Sequence, residues 1–212
     1  MTTTIPRASA ILGAARTLAA KLLLAVPIDR AALSEAMTQS VGGNDAAGAW
    51  QQRDSFEALE VALSLAIPEL VGRMDVGAAI STLEALAREL PTHTVRSEDQ
   101  IQFQQFSTPP ALARLAVHLA RLSSDDILLE PSAGTGIIAS LAKGAVRDMI
   151  LNELEPTRAD LLAGVLPGTK VYRHDGAKLS ALLSGTERPR VVLMNPPFSV
   201  SQLRGQDQNT AA

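Results

Sequence analysis

Between residues 127 and 194 the sequence alternates short apolar segments with segments of helical pattern, and this alternation constrains the fold more than any other feature. Strands that are joined by helices can pair in parallel, and the helices then cover both faces of the sheet. We therefore predict an α/β fold with a doubly wound sheet of about four parallel strands. The predicted strands are residues 127–130, 149–152, 170–173 and 190–194, and the predicted helices between them are residues 136–143, 158–165 and 179–183.

The first part of the sequence has a helical pattern, so we predict an all-α N-terminal region (residues 1–95) followed by an α/β domain (residues 96–212). Asp29 and Asp75 are placed to cap helices, and Pro68 is expected to end or kink one. Nothing in this region has catalytic spacing, so we expect a structural or partner-docking role. The predicted helices are residues 9–25, 30–40, 47–66 and 76–90, and in the second domain residues 109–122, whose apolar side carries Leu112, Leu115, Ala116 and Leu119.

Composition excludes several classes of function. The sequence has no cysteine, which removes disulfides and thiolate metal sites and is compatible with a reducing cytoplasm. Its three histidines are widely spaced, so we expect no metal site. The formal net charge of −3 gives no general attraction to polyanions, so a nucleic-acid substrate would need a local patch or a further segment. Basic residues interrupt the apolar run near the N terminus, so we expect a cytoplasmic protein without a membrane span.

A glycine turn with the sequence EPSAGTG (residues 130–136) follows the first predicted strand. Gly134 and Gly136 would let backbone amides approach a ligand closely at the start of a helix. The turn is not a P-loop, because no Gly-Lys-Ser/Thr follows it. Taken alone, it predicts either a ligand-binding turn or an ordinary tight turn.

Acidic residues follow the next two predicted strands. Glu153 comes about twenty residues after the glycines, where nucleotide-binding sheets place an acid against ribose hydroxyls. Asp175 follows the third strand and is a candidate acceptor for the exocyclic amine of a bound adenine. The alternative for Asp175 is that it forms a turn with Gly176.

The fourth predicted strand ends in the sequence NPPF (residues 195–198). The prolines stiffen the backbone as it leaves the sheet, since each biases the preceding residue toward an extended conformation. The amide oxygen of Asn195 and the carbonyl of Pro196 can then accept the two hydrogens of one amino group, while Phe198 offers a face for stacking a planar base. The alternative is a proline-rich strand exit without a ligand.

Together, EPSAGTG, NELEP, HDG and NPPF resemble in this order the motifs of amino-type DNA methyltransferases, which transfer a methyl group from S-adenosylmethionine to the exocyclic nitrogen of adenine. Upstream, FSTPP (residues 106–110) is similar to that family's additional cofactor motif. The methylase part of bacterial methylase-helicase proteins looks similar as well. The resemblance covers about residues 103–200 and implies a Rossmann-like class I methyltransferase sheet. Enzymes that methylate RNA or protein glutamine also use an Asn-Pro-Pro exit, so those substrates remain alternatives.

The resemblance implies a role for each motif. The implied catalytic residues, which would hold the target amine, are Asn195, Pro196, Pro197 and Phe198; a duplex base would have to be flipped out to reach them. The implied cofactor-binding residues are Thr108 and Pro109 at the methionine end, Glu130, Ser132, Ala133, Gly134 and Gly136 along the amino-acid and ribose side, Glu153 at the ribose hydroxyls, and Asp175 at the adenine amine.

The sequence departs from the family in its extent, because the family's sheet has seven strands and only four are predicted here. We therefore expect an incomplete, C-terminally truncated methyltransferase domain without a target-recognition domain. Its open sheet edge is a place where a partner chain could complete the sheet. DNA is the expected nucleic-acid partner. A remnant that binds the cofactor without turnover is the alternative to an active enzyme.

Overall fold

One parallel sheet organises the second half of the chain in the computed structural model, which describes residues 6–92, 107–183, 185 and 188–196. Its strands pair in the order β3-β2-β1-β4, so the chain moves outward from β1 to β3 and then crosses back to the other side of β1. This reversal is typical of Rossmann-like sheets and places a crevice beyond the carboxyl ends of the strands. The predicted fold class is confirmed. The strands are β1 (Ile127–Glu130), β2 (Asp148–Asn152), β3 (Lys170–Tyr172) and β4 (Val191–Val192).

Helices lie close to where the sequence predicts them. The carboxylate of Asp29 accepts a hydrogen bond from the backbone N–H of Ala32 at 2.8 Å, and that of Asp75 accepts one from Ala78 at 3.0 Å. Both predicted N-caps are therefore confirmed. The helices are α1 (Arg7–Leu23), α2 (Arg30–Val41), α3 (Gln52–Val71), α4 (Val76–Glu89), α5 (Pro110–Leu119), α6 (Ile137–Ala142) and α7 (Pro156–Val165), with a 3-10 helix at Gly176–Ala181.

The clearest differences from the predicted elements are at α3, at residues 179–183 and at β4. Helix α3 begins at Gln52 and passes through Pro68 to Val71, because burial of the apolar side chains around the proline outweighs the one backbone hydrogen bond it cannot donate. The helix predicted over residues 179–183 is instead the 3-10 helix. Strand β4 is shorter than predicted because only Leu128 and Leu129 of β1 pair with it.

The predicted packing face of α5 is also wrong. Leu112 and Leu119 are 58% and 67% exposed, whereas Ala113 is fully buried. Ala113 belongs to a cluster of buried apolar residues that includes Leu83 of α4 and Ile137 of α6. A small side chain faces inward there because α5 lies close to both of these helices.

The N-terminal helices and the sheet share one apolar core. Ile11 of α1 and Phe56 of α3 belong to the same cluster of buried residues as Leu128 of β1 and Leu162 of α7. Gly164 of α7 lies so close to α1 that a Cβ atom there would be 2.5 Å from a methyl carbon of Leu12. The helical region therefore contacts the α/β part directly. No helix in the described part of the chain is long and apolar enough to cross a membrane.

Candidate active site

The turn after β1 carries both glycines in the left-handed region, with φ of +56° at Gly134 and +88° at Gly136. At Gly136 a Cβ atom would be 2.6 Å from Leu162 Cδ1, so glycine is needed for the turn to pack against α7. The backbone requires glycine at this position whether or not a ligand binds.

Glu130 lies at the end of β1 and is only 2% exposed. Burial raises the pKa of its carboxyl well above the usual range, although a hydrogen bond from the backbone of Ala139 in the first turn of α6 opposes the shift. Within the described residues, Glu130 Oε2 has no hydrogen-bond partner. The side chain of Glu130 thus contacts the backbone at the start of α6, and it does not line the cavity that the site residues form.

Glu153 connects the end of β2 to the glycine turn. Its Oε2 atom accepts a hydrogen bond from the backbone N–H of Gly134 at 2.8 Å, and its Oε1 accepts one from the N–H of Glu155 at 2.9 Å. The predicted ribose-binding carboxylate is therefore held against the predicted cofactor turn.

Asn152 is a structural residue of the site that the sequence did not predict. Its Nδ2 donates to the carbonyl oxygens of Pro131 at 3.0 Å and His174 at 2.8 Å, and its Oδ1 accepts from the N–H of His174 at 3.0 Å. This 1%-exposed amide joins the ends of β1, β2 and β3. The sequence signal that could have indicated this role is the position of Asn152 as a polar residue at the end of an apolar strand.

Asp175 is exposed and does not line the cavity. Its carboxylate accepts a hydrogen bond from the N–H of Ala177 at 3.1 Å, which caps the 3-10 helix. The turn-forming role that the sequence left open for Asp175 is thus present in the structure, and its role toward an adenine amine stays a prediction.

Asn195 follows β4 and contacts the predicted upstream cofactor motif. Its Nδ2 donates a hydrogen bond to Thr108 Oγ1 at 3.1 Å, which leaves the amide oxygen as the acceptor. Pro196 is exposed beside it, whereas Pro197 and Phe198 lie outside the described residues.

These segments enclose a cavity of about 130 Å³ beyond the carboxyl ends of β1 and β4. It brings together six of the predicted site residues, whereas the described residues Glu130, Gly136, Glu153, Asp175 and Pro196 do not line it. It also includes residues that the sequence did not predict, notably Glu60 and Leu63 from α3 and Arg158 from α7. The predicted residues that line the cavity are Thr108, Pro109, Ser132, Ala133, Gly134 and Asn195.

A buried ion-pair cluster forms one wall of this cavity. The guanidinium of Arg158 is paired with Glu60 at 2.6 Å (Nη2 to Oε2) and with Glu57 at 2.9 Å (Nε to Oε1). Burial lowers the pKa of Arg158, but the combined negative charges of Glu60, Glu57, Glu153 and Glu155 raise it above its ordinary value. Burial raises the pKa of Glu57 to about 7 despite the nearby guanidinium. The sequence could not reveal this cluster, because 98 positions separate Glu60 from Arg158.

In the described part of the chain, no group of three or more His, Cys, Asp or Glu side chains is arranged to hold a metal ion.

No protein-family model matches the sequence, and no curated protein matches it. Among solved structures, the chain is similar to the crystal structure of PH1948 from Pyrococcus horikoshii, a provisionally assigned RNA methyltransferase, at 23% identity and a TM-score of 0.44. The match covers 58% of this chain and 62% of PH1948, less than two-thirds of that protein. A likeness of this size defines neither a family nor a substrate.

Proposed function

We propose that this protein is an S-adenosylmethionine-dependent methyltransferase that acts on the exocyclic amine of adenine in DNA. The observation that carries the proposal is the convergence of separate motifs on one cavity. Thr108, the turn at Ser132–Gly134 and Asn195 come from distant parts of the sequence and line it together. In a parallel sheet of this topology, that position is where ligands bind.

The residues of the cavity fit the amino-acid end of the cofactor. Glu60 and Arg158 supply opposite charges, and the hydroxyls of Thr108 and Ser132 supply hydrogen-bonding groups. The volume of about 130 Å³ suits that end alone, since pockets for whole drug-sized ligands measure about 300–1,000 Å³. Glu153 and Asp175 would hold the nucleoside part outside the cavity.

Bound S-adenosylmethionine supplies a methyl group on a positively charged sulfur. Asn195 Oδ1 and the backbone carbonyl of Pro196 accept the two N–H groups of the target amine, which aims the nitrogen lone pair at the methyl carbon. The nitrogen that Asn195 and Pro196 orient would take the methyl group as the carbon–sulfur bond breaks, and it would then release one proton to water. Holding the amine in this way requires no titrating general base.

Transfer of a radiolabelled methyl group to unmethylated DNA tests the proposal. We expect label in adenine, and we expect Asn195→Ala to reduce incorporation by about 100-fold or more, as the loss of a group that holds the reacting amine should. Asn44→Ala is a matched control, because the side chain of Asn44 accepts a hydrogen bond from the N–H of Ala47 in an exposed turn and does not line the cavity.

Other results would contradict the proposal in distinguishable ways. Label in RNA or in protein glutamine would retain methyl transfer but overturn the DNA substrate. Cofactor binding without transfer to any substrate would indicate a non-catalytic remnant. Calorimetry that detects no binding at millimolar cofactor would remove the methyltransferase proposal altogether.

A further inference from the structure

The N-terminal helical region contributes a carboxylate to the wall of the proposed cofactor cavity. Glu60 of α3 lines the cavity together with Gly134, and its side chain is 27% exposed. Its carboxylate is held by the guanidinium of Arg158, which is only 6% exposed. Among the described residues, Arg158 is the side chain that pairs with this carboxylate. Glu60 is therefore fixed in position while one side of it faces the cavity.

Negative charge is in excess around this point. The carboxylates of Glu60, Glu57, Glu153 and Glu155 all act electrostatically on Arg158. One guanidinium thus pairs directly with two carboxylates, Glu60 and Glu57, while two more act on it from further away. Burial raises the pKa of Glu57 to about 7, which reduces its own charge at neutral pH.

Among the described residues, Arg7 also acts on Glu57, but its guanidinium is paired with Asp54 at 2.6 Å, and Arg53 lies 4.0 Å from the same carboxylate. The cavity wall near Glu60 consequently favours a ligand of positive charge.

The two small molecules of the proposed reaction differ in charge by one unit. S-adenosylmethionine carries an ammonium, a carboxylate and a sulfonium, so its net charge is +1. After methyl transfer the sulfur is a neutral thioether, and S-adenosylhomocysteine has no net charge. We infer that Glu60 makes this cavity select the cationic cofactor over its uncharged product, an inference that rests on the proposed function.

The selection has a physical consequence for turnover. The sulfonium is three bonds from the α-carbon of the amino-acid end, so a carboxylate in the wall around that end would attract it by a Coulomb interaction that disappears when the methyl group leaves. The product then loses an attraction that the cofactor had, and its release becomes easier. A helix outside the motif-bearing domain would in this way promote exchange of product for fresh cofactor.

Calorimetric titration of wild type and Glu60→Gln with both ligands tests the inference. We expect wild type to bind cofactor more tightly than product, and we expect Glu60→Gln to reduce that affinity ratio about fivefold, as removal of one charge several ångströms away should at intermediate dielectric. Glu60→Asp keeps the charge and should retain most of the ratio. Glu69→Gln is the matched control, because Glu69 is an exposed residue of the same helix.

The outcomes separate this inference from the proposed function. An unchanged ratio in Glu60→Gln, or equal weakening of both ligands, would overturn the inference and leave the proposed function intact. Failure of wild type to bind either ligand would overturn both. If Glu60→Gln does not fold, Glu57→Gln removes a second carboxylate of the cluster, and it should lower the ratio in the same direction by a smaller factor.

Discussion

The side-chain nitrogen of Asn195 donates a hydrogen bond to the hydroxyl oxygen of Thr108 at 3.1 Å, although 87 positions separate the two residues. Thr108→Val removes the acceptor with little change in volume and frees the Asn195 amide to rotate. We expect methyl transfer to fall about tenfold, because the target amine is then held less accurately. Cofactor affinity should change less than the rate, and radiolabel transfer with calorimetry measures both. Thr82→Val at an exposed position of α4 is the control, and equal rates in the two variants would contradict the prediction.

Arg158 holds two carboxylates inside the protein, so its loss should be costly. Arg158→Met leaves Glu57 and Glu60 without their cation, and breaking a buried pair in this way destabilises proteins by about 3–5 kcal/mol. Urea denaturation measures the change in free energy of unfolding. Arg88→Met is the comparison: Arg88 pairs with Glu84 one turn away at the surface, and its loss should cost less than about 1 kcal/mol. A similar loss of unfolding free energy in both variants would show that the ion-pair cluster contributes little to stability.

The raised pKa of Glu57 predicts a pH dependence of stability. Its carboxyl has a pKa of about 7 when folded and 4.5 as the ordinary value, so between these pH values the folded state binds more protons than the unfolded state. The stability that Glu57 contributes is therefore fully present below about pH 4.5 and is lost as the pH rises to about 7. Urea denaturation across this range measures the free energy of unfolding as a function of pH, and its slope against pH should be less negative for Glu57→Gln than for wild type. Parallel slopes would exclude the raised pKa.

Gly136 and Gly144 separate the cost of a left-handed backbone from the cost of a steric clash. Both have similar positive φ, +88° and +85°, but a Cβ at Gly136 would meet Leu162 while one at Gly144 would meet nothing within 4 Å. Gly144→Ala should cost about 1 kcal/mol from conformation alone. Gly136→Ala should cost about 1–3 kcal/mol more, because it overfills a packed contact. Thermal and urea denaturation measure the difference, and equal costs would mean that the turn moves away from α7.

Local sequence signals predicted much of this fold. The apolar run of β1 and the caps at Asp29 and Asp75 depend on neighbouring residues, and the structure has them where expected. The exposed Leu112 and Leu119 show the opposite case. Apolar residues on α5 allow more than one inward face, and only contact with α4 and α6 decides which one is buried.

The candidate site, like the fold, has one part that sequence motifs predicted and another part that only tertiary contacts determine. Motif order predicted that Thr108, Gly134 and Asn195 would meet, because the ends of parallel strands converge at one edge of the sheet. The ion pair between Glu60 and Arg158 depends on how α3 packs against α7, and no sequence motif contains both residues. Its prediction would require the tertiary packing itself.

The pairing of β4 with β1 has a consequence for the order in which the site assembles. Leu128 aligns with Val191, and this is the most distant pairing along the chain among the described strands. Closing so long a loop carries the largest entropic cost, so β4 should join the sheet last and detach first. When it detaches, Asn195 leaves Thr108, while the contact of Glu153 with Gly134 remains within the earlier strands. Partial opening would thus separate the two halves of the site, and the half that holds the glycine turn would persist.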